Sequence, residues 1–316
     1  MTQRPSLLER AAEVYDFASG LPMNQPMNPP ITPPAAVAER PRVARPEPAP
    51  AAVPLPVRPV QTARPAPHSG ASRHGIVEVD HTAMAEAGLP TPNAPGGNLP
   101  EEMRLIKRRL LAAVDAGLAR GDESARIVLI ASGQPGEGKT FVALNLALSI
   151  ATEQERSVLL VDGDNAKPEL LARLGLPQDG PGFLDSLADP RLDPEALVLD
   201  TDIPGLSVLP AGRKDRNIPE YFASARMPEL MARLVEADPQ RIILIDSSPA
   251  LAASATGVLA QHAGQCLVVV KADTTAEADL KETLDLLSGC DNLSLVLNSA
   301  AFQIGGRRYG KYEEYR

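Results

Sequence analysis

The residues whose types and spacing most directly imply chemistry are Gly133-Gln134-Pro135-Gly136-Glu137-Gly138-Lys139-Thr140. Glycines at the first and sixth positions, followed by lysine and a hydroxyl residue, match GxxxxGK[ST]. Glycine lets backbone N–H groups curl around phosphate oxygens, and a following helix adds the positive end of its dipole. Lys139 is expected on the β- and γ-phosphates and the Thr140 hydroxyl on Mg²⁺, and Phe141 closes the stretch expected to bind ATP. The motif counts only between a strand and a helix. Here the apolar run Arg126 to Ile130 precedes it and the apolar segment Thr140 to Thr152 follows it.

Carboxylates at the ends of two further apolar runs extend the site. Asp162-Gly163-Asp164 closes Val158 to Val161, and Asp246 closes Ile242 to Ile245. A lone aspartate at a strand end is most simply a turn or helix cap. Three of them beside a phosphate loop are instead the oxygen ligands and charge partners that Mg²⁺ and phosphates require. Lys139, Asp162 and Asp164 are therefore the candidate catalytic groups, with Thr140, Asp162 and Asp246 as candidate metal ligands.

The elements that must position these groups are legible in the apolar pattern. Continuous apolar runs at Arg126 to Ile130, Val158 to Val161, Leu206 to Leu209, Ile242 to Ile245, Cys266 to Val270 and Ser294 to Leu297 read as strands buried on both faces. Helix-length segments lie between them, such as Thr140 to Thr152, Pro228 to Glu236 and Ala276 to Leu287. This alternation predicts an α/β fold with a doubly wound, mostly parallel sheet and ligands at the carboxyl ends of the strands. Residues 76–100, beginning Ile76-Val77-Glu78-Val79-Asp80, read as a short strand and turn that join the linker to the domain.

Composition divides the 316-residue chain unevenly. Residues 1–19 read as a short amphipathic helix, and residues 20–75 are a Pro/Ala-rich linker with too little apolar surface to fold. Residues 76–304 form the folded domain. Residues 305–316 form a polar tail that holds three of the five tyrosines, Tyr309, Tyr312 and Tyr315. Acids and bases cancel over residues 1–100, so the formal charge of −9 belongs to residues 101–316. That balance argues against a nucleic-acid partner, whose phosphates would demand a basic footprint. Cys266 and Cys290 lack metal-ligand spacing, so neither zinc nor a disulfide framework is expected. No window resembles a membrane span or a signal peptide, and a cytoplasmic, reducing location is expected.

Over about residues 100–316 the sequence resembles the bacterial tyrosine kinases of capsule and exopolysaccharide loci. Their first motif, SxxPGEGK[ST], is matched by Ser132 to Thr140. Their DxDxRxP is matched by Asp162 to Pro168, except that Ala166 and Lys167 stand around the expected arginine. Their DTPP appears here as Asp246-Ser247-Ser248-Pro249. Further likeness lies in Leu209-Pro210-Ala211-Gly212, in Asn217-Ile218-Pro219-Glu220 with Ser224, and in Val296-Leu297-Asn298. The resemblance implies that Asn298 contacts adenine and that Tyr309, Tyr312 and Tyr315 accept phosphate in trans within a ring-like homo-oligomer. It also implies that Glu101, Arg104 and Lys107, matching ExxRxxR with lysine as the last residue, form the ring interface. Asp162 or Asp164 would take the tyrosine proton. A membrane polysaccharide co-polymerase of the chain-length-determinant type would recruit and activate the kinase at the inner membrane. The N-terminal helix, linker and Glu101-to-Arg108 helix look most like the stand-alone subgroup of exosortase-type loci.

The alternative is a non-kinase ATPase switch of the septum-site or partition type, controlling a membrane complex through its nucleotide state. That class carries a signature lysine where this chain has Gln134. A solvated helix face also accounts for the charge ladder at Glu101, Arg104 and Lys107.

Overall fold

The computed structural model describes residues 75–91, 99–213 and 218–300. The expected N-terminal helix, the linker up to residue 74 and the tail with Tyr309, Tyr312 and Tyr315 lie outside the described residues. Contacts divide the chain into residues 1–61 and 62–316, and every described residue belongs to the second unit.

Among the described residues, seven strands form one sheet: β1 (Ile127–Ser132), β2 (Ser157–Gly163), β3 (Leu199–Asp200), β4 (Leu206–Leu209), β5 (Arg241–Ser247), β6 (Gln265–Lys271) and β7 (Leu293–Asn298). Their order is β3-β4-β2-β5-β1-β6-β7, parallel throughout except for the β3–β4 pair. Each expected strand has its counterpart in β1, β2, β4, β5, β6 or β7. From β1 the chain winds across β5 to β2, whereas from β5 it crosses β1 to reach β6. The crevice at the carboxyl end of β1 is thus the switch point at which such sheets bind ligands.

Two apolar layers explain the runs in the sequence. Ile127, Leu129 and Ala131 of β1 join Leu159, Val161, Ile243 and Ile245 in one layer, while Val128 and Ile130 join Val158, Leu160, Ile242 and Leu244 in the other. Because side chains alternate across a strand, a strand covered on both faces must be apolar at every position.

The helices, in chain order, are α1 (His81–Glu86), α2 (Leu99–Leu118), α3 (Lys139–Ala151), α4 (Leu170–Leu174), α5 (Phe183–Ala188), α6 (Ile218–Phe222), α7 (Arg226–Glu236), α8 (Ala255–Ala260) and α9 (Glu277–Leu286). Helices α1 to α4 supply residues to the second layer, and α5, α7, α8 and α9 to the first. In α2 the buried positions are Met103, Lys107, Leu110, Val114 and Gly117, a stripe of alternating three- and four-residue steps. Gly117 permits close approach, since a Cβ there would lie 2.3 Å from Ala125 Cβ.

Two local features differ from the sequence expectation. Residues 76–80 make one isolated parallel bridge, Val77 with Thr201, rather than a strand. Asp80 then caps α1, its carboxylate accepting from Thr82 N and Ala83 N, so the expected turn is a short helix. The two-residue β3, antiparallel to β4, carries too few residues to show a pattern.

Candidate functional site

The phosphate loop leaves β1 at Ser132 and enters α3 at Lys139. Gly136 and Gly138 take φ values of 79° and 97°, which residues with a Cβ avoid. Gly138 is the N-cap residue of α3. The N–H groups of Gly136, Glu137 and Gly138 meet no backbone acceptor among the described residues, leaving donors available to an anion. Lys139 is buried, and its Nζ lies 3.2 Å from Asp164 Oδ2.

Sheet register brings the carboxylates together. Asp162 on β2 stands opposite Asp246 on the neighbouring β5. Both are 1 % exposed. Burial, then the Asp246 charge, pushes Asp162 up to about 8. Burial likewise raises Asp246 to about 7, although the Lys139 ammonium and the Thr140 hydroxyl oppose the shift. Asp246 Oδ1 has no hydrogen-bond partner. An orphaned, buried carboxylate oxygen beside the Thr140 hydroxyl suits Mg²⁺ or its water. Among the described residues no group of three His, Cys, Asp or Glu side chains forms a self-sufficient metal site. Phosphate oxygens and water would complete the shell, as is usual for this ion.

Asp164 is held differently. Its Oδ1 accepts from Ser248 Oγ at 2.7 Å, Lys167 N at 3.1 Å and Ala166 N at 3.2 Å, which leaves Oδ2 towards Lys139. Ser248, where the resembled pattern has proline, is 2 % exposed and hydrogen-bonded to Asp164, a role its sequence position did not signal. Lys167, expected near the missing arginine, is exposed and paired with Glu169.

A second group of contacts braces the loop from the other side. Asn298 Nδ2 donates to Glu137 O at 2.9 Å, so the residue expected on adenine lies against the phosphate loop. The Glu137 carboxylate accepts from Gln134 N at 2.9 Å and from the Thr275 hydroxyl. Gln134 Nε2 donates to Asp279 Oδ2 at 3.2 Å. Thr275 and Asp279 lie more than a hundred residues downstream of the loop, which no local pattern reveals. Pro135 lies in the same loop, whereas Phe141 packs with the second apolar layer. Gly133 admits no Cβ, since one would lie 2.5 Å from Thr283 Oγ1.

The remaining expected residues sit apart. Glu101 and Arg104 form an exposed 2.7 Å pair on α2. Lys107 points inward: its Nζ donates to Ser149 O at 2.9 Å, capping α3, and pairs with Glu153 at 2.5 Å. Its ammonium therefore does not continue the exposed Glu101–Arg104 ladder. The Leu209-Pro210-Ala211-Gly212 stretch runs from the last residue of β4 into the segment that follows it, with Pro210 O accepting from Phe183 N at 2.8 Å. Burial alone would raise the Asp185 carboxyl beside this segment, but the N–H and guanidinium of Arg213 hold it below the usual carboxylate range.

No family model matches this chain. It is 31 % identical over 256 residues to "Putative tyrosine-protein kinase EpsB" of Ralstonia solanacearum, covering 78 % of this chain and 33 % of that protein. It is 28 % identical over 196 residues to the tyrosine-protein kinase YwqD of Bacillus subtilis, covering 61 % of this chain and 78 % of the relative. The chain thus spans about a third of the length of EpsB but most of YwqD. Among solved structures, the chimerical protein CapA2B2 shares the fold, with a TM-score of 0.57, 23 % identity and coverage of 70 % of this chain and 91 % of that one.

Proposed function

We propose, for a chain that belongs to the bacterial tyrosine-kinase family, that it is an ATP-dependent protein-tyrosine autokinase. Its acceptors are Tyr309, Tyr312 and Tyr315, modified in trans within a ring-like homo-oligomer. The observation that supports the reading is the phosphate loop whose buried Lys139 already faces a carboxylate, 3.2 Å away, beside the strand-end pair Asp162 and Asp246.

In this reading Lys139 exchanges Asp164 for the β- and γ-phosphate oxygens, and the free loop N–H groups hold the rest of the phosphate chain. Thr140 and Asp246, with Asp162 adjoining, would hold Mg²⁺, which neutralises phosphate charge when bound. A tail tyrosine places its phenolic oxygen in line with the γ-phosphorus. The new O–P bond forms, the bond to the bridging oxygen breaks, and ADP leaves. The phenol's ordinary pKa near 10 requires a proton acceptor. Asp162 or Asp164 takes the proton: the two oxygens of Asp164 already face four donors, and Asp162 accepts only after releasing the proton that its burial favours. Catalysis is then positioning plus charge neutralisation.

Each phosphorylated tyrosine adds roughly −1.5 to −2 charges to an acidic domain, which loosens the assembly. The ring interface includes Glu101 and Arg104 on the exposed face of α2. The cellular role is regulation of exopolysaccharide or capsule polymerisation and export. A membrane co-polymerase recruits and stimulates the kinase at the cytoplasmic face of the inner membrane, and the stand-alone exosortase-locus subgroup fits the Pro-rich N-terminal region. Among the described residues no helix is long and apolar enough to cross a membrane.

The deciding experiment is intact-protein mass before and after incubation with ATP and Mg²⁺, for the full chain and a chain truncated after Gly306. Phosphate-sized steps that vanish with the tail are the expected result. ATP hydrolysis without mass steps, even with the co-polymerase's cytoplasmic segment added, would replace the kinase with the nucleotide-state switch.

A further inference from the structure

A glutamate inside an anion-binding loop opposes the phosphates it sits among unless its charge is turned away and satisfied. Glu137 is such a residue. It is 3 % exposed, one position before the N-cap glycine of α3. Its Oε2 takes the Gln134 N–H at 2.9 Å, folding the loop back on itself. Its Oε1 accepts a hydrogen bond from the hydroxyl of Thr275, in the connection between β6 and α9. The Thr275 oxygen in turn accepts from Lys271 N at 3.0 Å, at the last residue of β6. The carboxylate therefore links the loop to the end of a central strand through one hydroxyl. Its own carbonyl is occupied by Asn298 Nδ2, at the end of β7.

These contacts consume the Gln134 N–H and the Glu137 C=O. The neighbouring N–H groups of Gly136, Glu137 and Gly138 are among those that meet no backbone acceptor among the described residues. A flexible glycine loop gains affinity when its donors are held in the bound arrangement beforehand.

We propose that Glu137 is a positioning residue of the phosphate site and Thr275 its anchor, so that nucleotide affinity depends on a hydroxyl in the β6–α9 connection. The inference rests on the nucleotide-binding half of the proposed function and not on the kinase half.

The test is the equilibrium affinity of the full chain for a fluorescent ADP analogue with Mg²⁺, with Tm of the nucleotide-free protein measured alongside. Thr275→Val keeps the shape and removes the donor. It should weaken binding about tenfold, as expected for a lost hydrogen bond to a charged group. Thr275→Ser restores the hydroxyl and should return affinity to within about twofold of wild type. Glu137→Gln, which makes the carboxylate neutral and brings an N–H₂ towards two donors, should also lose about tenfold. Thr275→Val binding like wild type would overturn the strut. Loss of binding without rescue by Thr275→Ser would assign Thr275 a structural role only and overturn it equally. Wild-type binding without phosphoryl transfer would overturn the kinase reading alone.

Discussion

At the scale of single residues, the candidate site is a set of paired charges, and in the proposed reading Lys139 exchanges Asp164 for phosphate when a nucleotide arrives. Lys139→Met removes the ammonium that the proposed reading places on the phosphates. We expect it to abolish ATP-dependent mass steps in the intact protein; phosphotyrosine retained in the purified variant would sink the assignment of this loop. Asp162 and Asp246 are carboxyls raised to about 8 and about 7, chiefly by burial. The native state therefore binds more protons than the unfolded chain between roughly pH 4 and 8, and stability falls as pH rises through that window. In chelator and without nucleotide, Tm should be higher at pH 6 than at pH 8. Asp162→Asn removes one of the two acids and should shrink that difference, which thermal scans at both pH values measure. Of the site's residues, the loop and the strand-end aspartates are legible because a local pattern places them. Ser248, Thr275 and Asp279 are not, since only the folded sheet brings them to the loop.

At the scale of elements, α2 and α3 are joined by an unusual stripe residue. Lys107 occupies a core-facing position of α2, yet its ammonium reaches Ser149 O, Thr152 Oγ1 and Glu153 at the C-terminal end of α3. It satisfies an end carbonyl and meets the negative end of the helix dipole. Lys107→Ala should cost about 1–3 kcal/mol, because a buried acceptor loses its charged donor. Arg104→Ala, at a side chain 59 % exposed, should cost less than about 1 kcal/mol, as surface pairs do. Urea titration of the two variants separates these expectations. If Arg104 serves the ring, its substitution changes assembly mass instead, which light scattering reads. The spacing Glu101, Arg104, Lys107 suggested one continuous face, but burial of Lys107 shows that position along a helix does not fix which way a long side chain turns. Strands β1, β2, β5 and β6 were legible for the opposite reason, since coverage on both faces leaves no interior position free to be polar. The edge pieces failed the same criterion: β3 and the Val77 bridge are too short for any periodicity.

At the scale of the whole molecule, most of the domain's described core is the pair of layers around β1, β2, β5 and β6. Leu129, fully buried in the first layer, should cost about 2–5 kcal/mol as Leu129→Ala, lowering the urea midpoint without altering which residues meet the nucleotide. The outer edge is less well covered. Leu295 and Leu297 on β7 are 55 % and 59 % exposed, unlike the strands at the centre. The pair formed by Lys139 and Asp164 has a consequence for how this protein is studied inside cells. Deleting the lysine leaves a buried carboxylate without its cation, a change that can cost about 3 kcal/mol or more. A few kcal/mol is enough to alter steady-state abundance several-fold through proteolytic turnover. A lysine-less strain with a polysaccharide defect would then confound missing catalysis with missing protein. Lys139→Met combined with Asp164→Asn removes both charges together, and its immunoblot level beside that of Lys139→Met tells depletion from inactivity.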